Sequence, residues 1–225
     1  MFAARGADLR GASWGALLAL VGFALGLGWA CALYAGGNWS DVHATGFSLV
    51  HNFWCDLVRA RAINGADNRW SRRCASAAFA ALGLALFWFW RPAGSLLPAR
   101  LRRVARLLGR LSTLGLYGVA SLPSDRQPLF HGAVALAATL FGMTAIALAT
   151  RARLPGEART SLRRMTGIAL LLSALGNAAL YVAGAYLGAP QPLAEPLVQK
   201  LATVALLTWM LATLQTARGA ANPRL

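Results

Sequence analysis

The stretch WGALLALVGFALGLGWACALY, Trp14 to Tyr34, runs without a single charge. A helix needs about 20 mostly apolar residues to cross the roughly 30 Å hydrocarbon core of a bilayer, and this stretch is that long. Similar stretches recur along the chain. Cys74 to Trp90 is shorter but uncharged, and Leu129 to Thr150 and Met165 to Leu187 are uncharged throughout. Leu107 to Leu122 contains Arg110, and Leu193 to Leu214 carries Glu195 and Lys200 near its start. Composition agrees: 57% of the 225 residues are hydrophobic and 13% charged, far from the usage of soluble domains. The expected fold is all-α, a polytopic membrane helix bundle in one integral-membrane domain, residues 1–225. Its six transmembrane helices are expected at about 14–34, 74–90, 107–122, 129–150, 165–187 and 193–214. Five is the alternative count, with the third segment lying at the interface.

The formal net charge of +15 comes from 22 basic residues, all arginine except Lys200, against seven acids. In a soluble chain this would point to nucleic acid. Here the arginines cluster between spans, where they set topology, so no nucleic-acid partner is expected. Arg91, Arg100, Arg102, Arg103 and Arg106 lie between spans two and three. Arg151, Arg153, Arg159, Arg163 and Arg164 lie between spans four and five. With Arg5, Arg10, Arg218 and Arg224 they fall on one side of a six-span protein, which places both termini in the cytoplasm. The turns at Pro123 to Gln127 and Gly188 to Pro196, and the long first loop (37–73), fall outside. Arg59, Arg61, Arg69, Arg72 and Arg73 in that loop run against the rule. The arginine and alanine bias suggests a high-GC bacterial genome, hence a multi-pass protein of the plasma (inner) membrane.

The first 14 residues could be a signal n-region, and Ala30-Cys31-Ala32 resembles a cleavage site. The apolar run exceeds a signal core of about 7–15 residues, so an uncleaved first helix is expected. Asn38-Trp39-Ser40 is read as a chance sequon. Cys31, Cys55 and Cys74 cannot all pair with one another, and three buried thiols are expected in preference to a disulfide.

ARLRRVARLLGRL, Ala99 to Leu111, sets leucines and a valine at helical spacing with arginines between them. It reads as a basic amphipathic helix whose Arg100, Arg102, Arg103 and Arg106 meet the lipid interface. The bilayer is the expected partner, with anionic lipids on the cytoplasmic face. Arg106 and Arg110 would snorkel from the start of span three.

The first loop concentrates the remaining chemistry. GFSLVHNFWCDLVRAR, Gly46 to Arg61, reads as a short amphipathic helix with Phe47, Val50, Trp54, Leu57 and Val58 on one face. Ser48, Asn52 and Asp56, spaced four apart, would form one polar ridge, with His51, Cys55 and Arg59 beside it. Asn64-Gly65 signals a turn, and Asp67, Asn68 or Ser71 could cap the second span. His43, His51, Cys55 and Asp56 match no standard zinc spacing, so no metal and no cofactor are expected. The spans offer Asn177, His131 and Lys200, the last expected to pair with an outer carboxylate such as Asp56 or Glu195.

FSLVHNFWCDL followed by AINGADN and a serine resembles the first-loop signature of a bacterial six-span membrane family, domain-of-unknown-function 998. It is distantly similar to the DRAM-type membrane proteins. The matching positions are Ser48, Asn52, Asp56, Asn64 and Asn68, with Cys55 where the family usually shows serine. The resemblance implies about six spans and no known reaction.

The candidate functional residues are therefore Ser48, His51, Asn52, Cys55, Asp56, Asn64, Asn68 and Lys200. The leading expectation is a non-enzymatic role in which the first outer loop meets lipid or a partner. The alternatives are a small transporter or channel, and a membrane-embedded hydrolase using Asp56 and His51. Transport lacks support from internal repeats, mid-membrane charges or proline-broken helices.

Overall fold

The structure, a computed structural model, describes residues 2–151, 157–188 and 194–221, without the side chains of 2–7, 157–161, 185, 186 and 221. Arg153, Arg224 and residues 189–193 of the last expected turn lie outside it, as do the side chains of Arg5 and Arg159.

Six α-helices follow in order: α1 (Phe2–Ala32), α2 (Arg69–Ser95), α3 (Ala99–Ser121), α4 (Pro128–Arg151), α5 (Glu157–Leu187) and α6 (Glu195–Ala221). Among the described residues there is no strand, only an isolated bridge between Arg61 and Asp67. Five segments are long and apolar enough to cross a membrane: Asp8–Ala32, Arg69–Ser95, Pro128–Arg151, Leu162–Gly184 and Glu195–Ala220. The chain is thus an all-helical, multi-pass membrane protein. Helices are the form such segments must take, because hydrocarbon offers no partner to an open backbone N–H or C=O. α3 falls short on composition, since five arginines occupy its first half.

Successive helices run antiparallel, as the contacts at each end require. Ser71 of α2 donates to the Ala30 carbonyl of α1 (2.8 Å), whereas Arg91, near the other end of α2, pairs with Asp8 (3.2 Å). Arg106 of α3 donates to the Trp90 carbonyl (3.2 Å), and Ser76 of α2 donates to the Ala120 carbonyl at the far end of α3 (2.9 Å). α3 therefore runs alongside α2 from the end rich in arginine, the basic end, to the end that carries the long loop. Arg218, late in α6, stands over the Trp14 ring (4.7 Å), back at the basic end.

Packing follows helical period. α1 turns Ala12, Ala16, Leu20, Phe23, Leu27 and Ala30 inward and leaves Leu18, Val21, Leu25 and Trp29 bare on the opposite side, as a lipid-facing helix does. α2 is the centre, touching α1, α3 and α6. Small residues let backbones close up. A Cβ on Gly109 would meet Trp90 at 2.2 Å, so only glycine admits that indole between α2 and α3. Beside it, Phe89 and Trp90 pack on Trp209 of α6 with ring centroids 5.2 and 6.1 Å apart.

Two of the four arginines expected at the lipid interface are engaged by protein instead. Arg106 donates to the carbonyls of Trp90 and Arg91 (3.2 and 3.1 Å), and Arg102 to that of Leu97 (3.1 Å). These guanidinium groups hold α3 against the end of α2 and the connector that follows it. Arg100 and Arg103 are exposed.

Candidate functional site

The chain leaves α1 at Ala32 and returns to α2 at Arg69 through a loop folded across the bundle end. Gly36 and Gly37 (φ +123° and +80°) make the first bend where the two limbs of the loop cross. The backbone N–H of Asn64 donates to the Gly36 carbonyl (3.3 Å), and the Asn64 amide donates to that of Ala35 (3.0 Å). Asn38 closes the next turn, its Oδ1 accepting the backbone N–H groups of Ser40 and Asp41 (2.8 Å each).

The helix expected over Gly46 to Arg61 is not formed; only Trp54–Val58 is helical, as a short 3-10 turn. Side chains take the backbone donors that a helix would use. The Ser48 N–H goes to Asn52 Oδ1 (2.9 Å), the His51 N–H to Ser48 Oγ (3.2 Å) and the Phe53 N–H to Asp56 Oδ2 (2.8 Å). Ser and Asx side chains compete with helix in this way. Leu57 and Val58 of the apolar stripe face inward, but Val50 is exposed.

Ser48, Asn52 and Asp56 come together all the same, through hydrogen bonds rather than along a helical ridge. Asn52 is fully buried. Its Nδ2 donates to the Gly37 carbonyl (2.9 Å) and to Asp56 Oδ2 (3.2 Å). Asp56, only 1% exposed, also accepts from the Trp39 indole (3.4 Å). Burial raises the Asp56 pKa, while the Phe53 N–H, the Asn52 amide, the Arg59 charge and the Trp39 N–H pull it back. Asn68 occupies the N-cap position of α2 without capping it. Its buried amide donates instead toward the carbonyls of Asp56, Leu57 and Arg59 (3.4, 3.3 and 3.1 Å).

Lys200 does not pair with a carboxylate. Among the described residues the ion pairs are Arg69–Asp67 and Arg91–Asp8. Lys200 Nζ donates to the backbone carbonyl of Asn52 and to that of Pro196 (3.3 Å), and it lies 4.6 Å from the Trp54 ring centroid and 5.5 Å from that of Phe47. Asp56 is already occupied by three donors within its own loop, so the ammonium meets a peptide dipole and two π faces instead.

The other candidates disperse. His51 Nδ1 is 3.2 Å from Ser48 Oγ, and His43 is exposed on the turn that Asp41 closes. Cys31, Cys55 and Cys74 are free thiols, each half-buried. Burial first, then the Asp56 charge, pushes the Cys55 thiol up to about 12, the opposite of what a nucleophilic thiolate requires. Among the described residues no three His, Cys, Asp or Glu side chains stand close enough to hold a metal ion.

Sequence reading missed the groups that fasten the loop down. Gln199 Oε1 accepts the Trp54 N–H (2.8 Å), and Thr203 Oγ1 accepts the Trp54 indole N–H (3.0 Å). Asp125, between α3 and α4, accepts the N–H groups of Ala60 and Arg61 (2.9 and 3.2 Å), and Tyr34 Oη accepts that of Ile63 (3.2 Å). The available signal was faint: Gln199 and Thr203 share a helical face four residues apart, at a span end.

Fold and site together define a multi-pass helical membrane protein with a packed, internally bonded loop over one bundle end. No family model, curated protein or solved structure matches the chain.

Proposed function

We propose that this is a six-span protein of a bacterial inner membrane, with both termini cytoplasmic, and that it works without catalysis by presenting its first outer loop to lipid or to an apolar partner surface. One observation carries the reading. The loop turns Asp56, Asn52 and Asn68 inward, each at most 1% exposed, and presents Trp39, Val42, Leu49 and Val50, each at least 43% exposed. A catalytic carboxylate or amide must reach a substrate, whereas exposed apolar side chains set among polar ones such as Asp41 and His43, on a hydrogen-bonded frame, suit recognition. The course of α3 beside α2 supports the sixth span. Arg110 lies one turn inside Arg106 and close to the Phe87 ring (5.9 Å), where it can snorkel to the basic side. The gathering of arginines at one end supports the orientation. Kinship with domain-of-unknown-function 998 rests on Ser48, Asn52, Asp56, Asn64 and Asn68, and it fits a shared loop frame built from these side chains.

A nitroxide on Leu49→Cys, in a chain whose own cysteines are replaced, tests the recognition surface in native membrane vesicles. The label should be slowed and shielded from a water-soluble relaxant relative to one on Thr45→Cys. A freely tumbling, water-exposed label at 49 overturns the reading. Orientation is tested on intact cells with an impermeant maleimide, which should label Thr45→Cys and spare Ala99→Cys; the reverse pattern inverts the topology.

A further inference from the structure

Between α4 and α5, toward the basic end, the surface opens into a groove of about 370 Å³ lined by Met143, Thr144, Ala147, Leu148, Arg151 and Leu171. Among the described residues these helices pack less closely on each other than α3 on α4 or α5 on α6. The walls are apolar apart from Thr144, whose hydroxyl already donates to the Leu140 carbonyl (2.9 Å), and Arg151. Arg151 is exposed and has no hydrogen bond or ion pair among the described residues, and the same is true of Arg164. Arg164 precedes Leu171 by seven residues and Ile168 by four, so it lies on the groove face of α5. Arg163, its neighbour, donates to the Ala149 carbonyl at the end of α4 (2.5 Å). The two exposed guanidinium groups therefore flank the same end of the groove.

We propose that this groove holds an acyl chain of an anionic phospholipid from the leaflet at the basic end, with the lipid phosphate between Arg151 and Arg164. The apolar walls open toward bare Leu140, Leu172 and Leu175, the surface that lipid tails cover. Guanidinium groups bind phosphate through paired N–H donors, and basic pockets between transmembrane helices take anionic headgroups. A second apolar helix is the poorer occupant, because it would take the Arg151 and Arg164 charges out of water with no counter-charge among the described residues. The site is independent of the loop and stands or falls apart from it.

Native mass spectrometry of the full chain, exchanged between phosphatidylglycerol and phosphatidylcholine, tests the assignment. Phosphatidylglycerol should be retained preferentially. Arg151→Gln with Arg164→Gln should weaken that preference about 30-fold, equivalent to about 2 kcal/mol at 1.4 kcal/mol per decade. Arg100→Gln with Arg103→Gln, equally exposed but away from the groove, should leave it unchanged. Leu148→Trp, which fills the groove and keeps the charges, should reduce retention of both lipids, and it carries the test if the double variant folds poorly. Equal retention of the two lipids, an equal loss in the Arg100 and Arg103 variant, full retention in Leu148→Trp, or displacement by inorganic phosphate would each overturn the proposal.

Discussion

The two ends of this bundle handle polar groups in opposite ways. At the loop end, Asp56, Asn52 and Asn68 are buried and bonded to the loop itself, while Trp39, Val42, Leu49 and Val50 are exposed beside polar residues such as Asp41 and His43. At the basic end, Arg102 and Arg106 bind backbone carbonyls, while Arg100, Arg103, Arg151 and Arg164 remain exposed. Richness in polar residue types thus does not mark a reactive site. The loop gathers more acid, base and thiol groups than any other stretch, yet the polar side chains it brings together, Asp56, Asn52 and Asn68, are directed inward. What remains open to a ligand is set by which groups the fold leaves without a partner, and among the described residues Arg151 and Arg164 at the other end are such groups.

The sharpest test of this contrast is Asp56→Ala. It leaves the Phe53 N–H, the Asn52 amide and the Trp39 indole without their acceptor in a buried site, and should cost about 3 kcal/mol or more. Arg103→Gln at the other end should change stability by less than about 0.5 kcal/mol. Denaturant titration in detergent micelles reads both, and similar losses would break the distinction.

Backbone strain gives the next largest effect. An alanine Cβ at Gly37 would meet the Asn64 nitrogen at 2.4 Å on a backbone with φ +80°. Neither limb of the loop can yield without losing its hydrogen bonds, so Gly37→Ala should cost about 2–3 kcal/mol. Gly11→Ala near the basic end meets nothing within 4 Å, and there alanine should stabilise the helix by up to about 1 kcal/mol. Thermal unfolding of the pair should show shifts of opposite sign.

The helical class and the approximate place of every helix were legible because uncharged runs of spanning length have one solution in hydrocarbon. The juxtaposition of Ser48, Asn52 and Asp56 was legible too, but for the wrong reason. A spacing of four suggested a helical ridge, whereas these side chains capture backbone N–H groups and abolish the helix that would have aligned them. The partner of Lys200 could not be read, because it is a main-chain carbonyl, which leaves no trace in residue identity. The fastening by Gln199, Thr203 and Asp125 spans up to 149 residues of sequence, and no local period encodes such pairings.

Lys200→Met examines the join between loop and helix. The thioether chain keeps the packing against Trp54 and Phe47 but removes the donor to the Asn52 carbonyl and the charge over both rings. A loss of about 1–2 kcal/mol is expected, below that of Asp56→Ala, since Asn52 keeps its side-chain bonds. Hydrogen exchange should quicken at Phe53 and Trp54 while the amides of α4 and α5 stay unchanged. Uniform quickening would mean that the loop is no separate unit.

Asp125 should give the smallest effect, and its pH dependence distinguishes charge from geometry. Burial works to raise its pKa, but the N–H groups of Ala60 and Arg61, its own N–H and the Arg59 charge outweigh burial and leave it lowered. A carboxyl lowered on folding adds stability above its unfolded pKa of about 3.9, and the contribution is lost as pH falls through the folded value. Asp125→Asn should therefore be less stable than the parent at pH 7, by under about 1 kcal/mol because the group is largely solvated and screened. The gap should narrow as pH falls below the unfolded value of about 3.9 and close only below the lowered folded value. Asp56 has the opposite sign. With its pKa raised by burial, the parent should lose stability as pH rises from the unfolded Asp value through the raised one. The difference curve between parent and Asp125→Asn cancels that shared contribution and isolates the edge fastening. A gap that persists undiminished at pH 3 would assign the Asp125 contribution to hydrogen-bond geometry alone, and the loop would then be held at that edge by shape and not by charge.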